Sequence, residues 1–268
     1  MYQELIPYKQ SFVHTFFYGS GPEWLICFHG FGEEGKSFEI LESHLGKAYT
    51  IIAIDFPFHG ETVWNDGLLM TADDLLNVIG IATETDPVKI KFSILAYSLG
   101  GRIALHLLQI IPSQIKEVVL LAPDGLKLNF WYWLGTQTYA GNKLFSYTMK
   151  HPGWFFFLVD ICGKIKLLNK SIIKFVHYYL DDKEVRLLLY KRWTTMRKFK
   201  PALQTVRSNI ALYKTPVRFV FGNYDRIILA KRSSQFENIP SVNIIVLQAG
   251  HQLLKEKYAG DIAALFSQ

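Results

Sequence analysis

Short runs of continuous apolar residues recur along the chain at Trp24–Phe28, Thr50–Ile54, Phe92–Leu95, Glu117–Leu121, Val217–Phe221 and Val242–Leu247. Runs of this length, rich in β-branched and aromatic residues, predict strands covered on both faces, as in a parallel sheet. Helix-length segments separate most of them. Thr71–Thr85 carries apolar residues at helical spacing, with Asp73 and Asp74 placed to complement the dipole of a first turn. Leu99–Ile111 is apolar almost all round and stops before Pro112, which predicts a buried helix. Ala230–Asn238 and Gln252–Phe266 complete the alternation. Strand–helix–strand repetition predicts an α/β fold with a mostly parallel central sheet, right-handed crossovers and helices on both faces. Tyr8–Tyr18 predicts one or two antiparallel edge strands, without a turn signal that fixes where the chain reverses.

The alternation breaks between about residues 125 and 208. Aromatic clusters (Phe130-Trp131-Tyr132-Trp133 and Trp154-Phe155-Phe156-Phe157) and scattered basic residues punctuate helix-like segments there. This predicts a helical cap, residues 125–208, inserted after the sixth strand into a core of residues 1–124 and 209–268. Charge divides the same way. Residues 126–207 hold 15 Lys and Arg against 4 Asp and Glu, in a chain whose formal net charge is only +6. Lys164, Lys166, Lys170 and Lys174, interleaved with Ile165, Leu167, Leu168, Ile172 and Ile173, form a basic amphipathic stretch. Such a stretch is either a solvated helix face or a weak, peripheral contact with acidic lipid. The aromatic clusters read either as the core of the cap or as the lining of an apolar substrate pocket.

Composition narrows the function classes. With 268 residues, half of them apolar, the chain can bury a large core without metal or disulfide support. Its two cysteines, Cys27 and Cys162, make no framework, and Cys27 sits inside an apolar run as a small hydrophobe. No signal-peptide pattern opens the sequence, and no apolar run approaches the roughly 20 residues that cross a bilayer. The expected location is the cytoplasm. No glycine-rich phosphate loop, metal-ligand spacing or nucleic-acid-binding motif is visible, so no cofactor, metal or nucleic-acid partner is expected; the expected partner is a small-molecule substrate.

The candidate chemistry lies at strand ends. Ala96-Tyr97-Ser98-Leu99-Gly100-Gly101 follows the run Phe92–Leu95. Small residues two before and two after a serine allow a sharp strand-to-helix turn that exposes its hydroxyl. A serine needs a base, an orienting acid and oxyanion donors to act as a nucleophile. His251 follows the run Val242–Leu247 and Asp225 follows Val217–Phe221, supplying an imidazole and a carboxylate in the order Ser98, Asp225, His251. Asp124, after Glu117–Leu121, is a second candidate for the acid. Glu33 and Glu34 read as solvated loop charges.

Five motifs in order then carry a resemblance. Cys27-Phe28-His29-Gly30-Phe31-Gly32, Asp55-Phe56-Pro57-Phe58-His59-Gly60, the Ser98 turn, Gly222-Asn223-Tyr224-Asp225 and Gly250-His251 resemble the α/β-hydrolase superfamily over the whole chain except the cap. Ala96 stands where the first glycine is usual, and Phe58 where the loop ordinarily has glycine. The resemblance implies a Ser98–His251–Asp225 triad and an oxyanion hole from the N–H groups of Phe31 and Leu99. It casts His29 and His59 as loop-shaping groups. Residues 96–105 are also similar to the nucleophile region of the menaquinone-pathway lyases, the 2-succinyl-6-hydroxy-2,4-cyclohexadiene-1-carboxylate synthases. That similarity implies substrate contacts for Tyr97 and Arg102; the other reading of Arg102 is a structural ion pair. The expected reaction is hydrolysis of a small carboxylic ester through an acyl-serine. The alternatives are a C–C hydrolase or lyase using the same triad, a ligand-binding protein without turnover, and a membrane-associated acyl hydrolase.

Overall fold

The computed structural model describes residues 1–127, 129–165, 167, 173, 177 and 180–266. The chain divides into two compact units, one of Met1–Asp66, Thr71–Lys127 and Lys198–Gln268, the other of Gly67–Met70 and Leu128–Arg197. Strands β1 (Tyr2–Tyr8), β2 (Ser11–Tyr18), β3 (Glu23–Phe28), β4 (Tyr49–Ile54), β5 (Phe92–Tyr97), β6 (Ile115–Leu121), β7 (Val217–Gly222) and β8 (Val242–Leu247) all lie in the first unit. Among the described residues, the α-helices with given bounds are α1 (Glu42–Leu45), α2 (Ala72–Ala82), α3 (Leu99–Ile110), α4 (Phe130–Gln137), α5 (Tyr139–Lys150), α6 (Gly153–Lys164), α7 (Lys183–Thr195), α8 (Leu203–Tyr213) and α9 (Ala259–Ala264).

The first unit is an eight-stranded sheet in the order β1-β2-β4-β3-β5-β6-β7-β8. The pairs β1/β2 and β2/β4 are antiparallel, and every pair from β4/β3 to β7/β8 is parallel. Every residue of β5 and β7 is buried, as continuous apolar runs require. In a parallel sheet the strands end on one edge, so the loops after β5, β7 and β8 open side by side.

Several expected elements are reshaped. The edge hairpin turns at Lys9-Gln10, with Tyr8 opposite Ser11, and Lys9 takes a φ of 51°. A distant partner holds that turn: Lys9 Nζ lies 2.5 Å from Asp74 Oδ1. Thr71 caps α2 instead of opening it, and Thr71 with Asp74 forms a capping box. Ala230–Phe236 is 3-10 rather than α-helical. Within it the Ser233 hydroxyl donates to the Ala230 carbonyl, a local bond that competes with the helical ladder. Helix α9 starts only at Ala259, directly after a 3-10 turn at Glu256–Tyr258, and Leu253 ahead of that turn is fully buried.

The units also divide elsewhere than at the expected 125–208 insertion. Residues after Lys198 belong to the first unit because they pack on α3. Asn209 Nδ2 donates to the Leu108 and Gln109 carbonyls at 3.0 and 2.9 Å, and buried Phe199 meets the His106 ring edge-on. Gly67–Met70 joins the second unit, where the Met70 N–H donates to the Thr195 carbonyl and Arg197 reaches the Leu68 carbonyl.

The second unit is helical in its described residues. Asn129, Thr138 and Asp182 cap α4, α5 and α7 through their side chains. Its interior holds Tyr132, Met149, Val159 and Met196, with Phe145, Tyr190 and Trp193 in ring contact. Buried Arg186 donates to the Met149, Leu180 and Asp181 carbonyls. Of the aromatic clusters, only Tyr132 enters this core fully; Phe130, Trp131, Trp154 and Phe157 are exposed. Lys164, Ile165, Leu167 and Ile173 of the basic stretch are described, whereas Lys166, Leu168, Lys170, Ile172 and Lys174 lie outside the described residues.

Candidate active site

The turn after β5 places Ser98 at φ 48° and ψ −109°, a sparsely populated positive-φ conformation that costs a residue other than glycine about 1–3 kcal/mol. Its surroundings hold it there. The Ser98 N–H donates to the Leu121 carbonyl at 2.9 Å, and the Ser98 carbonyl accepts from Gly101 and Asp124 at 2.9 and 2.8 Å. Side chains at positions 100 and 101 would collide with the Phe28 backbone and with Pro123. Gly100 is therefore needed for α3 to start this close to β3, and Gly101 for it to pass this close to the loop after β6. Ala96, in the first small-residue position, is fully buried and fits without strain.

His251 connects Ser98 to Asp225. Its Nε2 lies 3.1 Å from Ser98 Oγ, and its Nδ1 lies 2.7 Å from Asp225 Oδ2. An ionised carboxylate only accepts hydrogen bonds, so Nδ1 carries the proton and Nε2 presents a lone pair to the hydroxyl. Asp225 is held in turn: its Oδ1 accepts from the Ile227 and Ile228 N–H groups at 2.7 and 3.0 Å. The loops after β7 and β8 are tied together by the Asn223 N–H to Leu247 and the Tyr224 N–H to Ala249. Asp124 stands apart, with Oδ2 paired to Arg102 and Oδ1 accepting from the Gly125 N–H.

Leu99 opens α3, where an N–H has no acceptor within the helix. Phe31 lies in the turn closed by the Glu33 N–H donating to the Gly30 carbonyl. His29 fixes that loop. Its Nε2 accepts from the Phe56 N–H at 3.1 Å, so its Nδ1 is the donor to the Gly30 carbonyl at 2.7 Å. Phe58 has φ 64°, which explains why glycine would suit this position. The loop keeps its turn nonetheless, through the His59 N–H to Phe56 and the contact of His59 Nδ1 with the Pro57 carbonyl at 3.0 Å.

The two residues expected to touch substrate have protein partners. Arg102 is buried in an ion pair with Asp124, the structural alternative considered for it. Tyr97 is buried beside His251, with its hydroxyl 3.4 Å from the His251 carbonyl and ring centroids 5.6 Å apart. Burial, reinforced by Glu33 and Asp225, raises its phenol well above the ordinary range.

Glu33 is the correction of most consequence. It is half-buried rather than solvated, and it shares the face of Gly30 with the Tyr97 ring. Burial raises its carboxyl above the usual carboxylate range, opposed in part by His251 and by a hydrogen bond from the Gly30 backbone. The folded chain therefore keeps this proton to higher pH than the unfolded chain. Its contribution lowers stability as pH rises from the ordinary carboxylate value through the raised one. Glu33→Gln, which retains an oxygen for Gly30, is expected to raise Tm by about 1–3 °C at neutral pH. In acid below the ordinary carboxylate range the two proteins should melt together. Paired thermal melts check this.

Among the described residues no group of three or more His, Cys, Asp or Glu is placed to hold a metal ion. Cys27 is fully buried, and burial pushes its thiol well above its ordinary value.

A family described as alpha/beta hydrolase fold matches residues 23–155. The chain belongs to the α/β-hydrolase superfamily and is a hydrolase of that fold. It is 29% identical to a pimeloyl-[acyl-carrier protein] methyl ester esterase from Pseudoalteromonas atlantica over 80% of each chain. The corresponding esterase from Nitrosomonas europaea is 26% identical over 45% of this chain, a match that spans 46% of that relative's length. Among solved structures, a thermophilic esterase from Thermogutta terrifontis superposes with a TM-score of 0.65 at 14% identity, covering 99% of this chain and 96% of that one.

Proposed function

We propose that this chain is a serine esterase that cleaves a carboxylic ester through an acyl-serine intermediate. The observation that carries the reading is the continuous Ser98–His251–Asp225 hydrogen-bond chain at 3.1 and 2.7 Å. In the forward step His251 Nε2 takes the Ser98 proton as Oγ bonds to the ester carbonyl carbon. The oxyanion formed is stabilised by the Leu99 and Phe31 N–H groups, which are rigid because α3 and the His29-braced loop carry them. Collapse breaks the bond to the leaving alcohol, which takes the proton from His251 and leaves Ser98 acylated. Water repeats the sequence, releasing the acid and returning the proton to Ser98. Asp225 stays ionised, holding the Nδ1–H tautomer and stabilising the transient imidazolium.

The names of the two sequence relatives make an acyl methyl ester the first substrate to assay. Methyl esters of graded acyl length, free and bound to acyl-carrier protein, should release methanol with a defined length optimum. Turnover of a vinylogous diketone with none of the esters would replace this reading with C–C hydrolysis. Ligand binding without turnover of either would replace it with a binding protein.

A further inference from the structure

We propose that the outward face of α6 is a docking surface for an anionic lipid bilayer, lying in the plane of the headgroup interface. Trp154, Phe157, Leu158, Ile161 and Ile165 recur at helical spacing and form one stripe, with side chains between 37% and 65% exposed. The other side of the helix is also apolar: Val159 is buried, and Phe155 and Phe156 are half-buried. A helix apolar on both faces belongs in a core or against a second apolar phase.

Length decides how it would meet a membrane. Twelve residues of helix span about 18 Å, well short of the roughly 30 Å hydrocarbon core. Among the described residues no helix is long and apolar enough to cross a membrane. The stripe can therefore lie along the interface but cannot span it. Tryptophan at one end suits that depth, since its ring is apolar and its N–H polar.

Charge selects the occupant. Lys150 and His151 immediately precede α6, and exposed Lys164 ends it. Residues 128–197 hold 11 Lys and Arg against 4 Asp and Glu. Asp160, the one acidic residue of α6, lies 3.7 Å from His177 Nε2. Acidic headgroups complement this basic border, whereas a second copy of the chain would bring two basic borders together.

The test is co-sedimentation of the full-length protein with vesicles of phosphatidylcholine alone or mixed with phosphatidylglycerol, at low and physiological salt. Binding should favour the mixed vesicles and weaken with salt, as the Debye length contracts to about 8 Å. Phe157→Ser and Ile161→Ser should each lower partitioning about tenfold. Lys150→Glu and Lys164→Glu should each lower it about fivefold or more on mixed vesicles and little on neutral ones. All four positions are exposed, so unchanged circular dichroism and Tm should show that each variant is folded. No binding, equal binding to both vesicles, or wild-type binding by the serine variants would overturn the proposal. So would a dimer that forms through the stripe in place of vesicle binding.

Discussion

Ser98→Ala is expected to lower kcat/KM on an ester by roughly 10⁴-fold or more. The fold should survive, because the side-chain bond lost is the one to His251 Nε2, while the backbone bonds that hold the turn remain. His251→Ala should cost about as much. The double variant should be little worse than either single one, since the two groups act in one proton transfer and their effects do not add. Steady-state rates for the three variants, referred to the concentration of folded enzyme, provide the check. Additive losses would mean that Ser98 and His251 serve different steps.

The second large effect separates two aspartates. Asp225→Asn places an amide against His251 Nδ1, where its NH₂ can donate and so favours the tautomer with its proton on Nε2. That ring cannot accept the Ser98 proton, and the expected loss is about 10³- to 10⁴-fold in kcat. Asp124→Asn should behave otherwise. It removes the charge paired with buried Arg102, and breaking such a pair costs about 3–5 kcal/mol of stability when fully buried. The Asp124 side chain is 25% exposed, which places the expected loss near the lower end. Its rate should stay within about tenfold of wild type. Arg102→Met should reproduce the stability loss without a selective rise in KM for anionic esters. Crippled catalysis in Asp124→Asn with a nearly silent Asp225→Asn would reverse the assignment of the orienting acid.

Legibility in the sequence followed the range of the interactions involved. Short continuous apolar runs rich in β-branched and aromatic residues mark parallel strands, buried on both faces in β5 and β7, whereas Val242–Leu247 forms the edge strand β8 and is only partly covered. Parallel strands end on one edge, so residues as distant as Ser98 and His251, separated by 153 positions, could be placed together before any coordinates. Features set by tertiary packing were not legible. Lys9-Gln10 carries no turn chemistry of its own and is held by Asp74, 65 residues away. Glu33 resembles any loop carboxylate until Gly30 and Tyr97 are seen to enclose it. Arg102 gives no sign in sequence of its pairing with Asp124. The aromatic run at Trp154–Phe157 shows that apolar periodicity locates a helix face without saying whether that face turns inward or outward.

The most direct test of the acyl-serine account is peptide mapping by mass spectrometry after reaction with a fluorophosphonate. The reagent forms a stable phosphonyl ester with an activated serine. The account predicts one adduct, on the peptide containing Ser98, absent in Ser98→Ala and formed much more slowly in His251→Ala. Full esterase turnover with Ser98 unlabelled, or an adduct mapping to another serine, would contradict it.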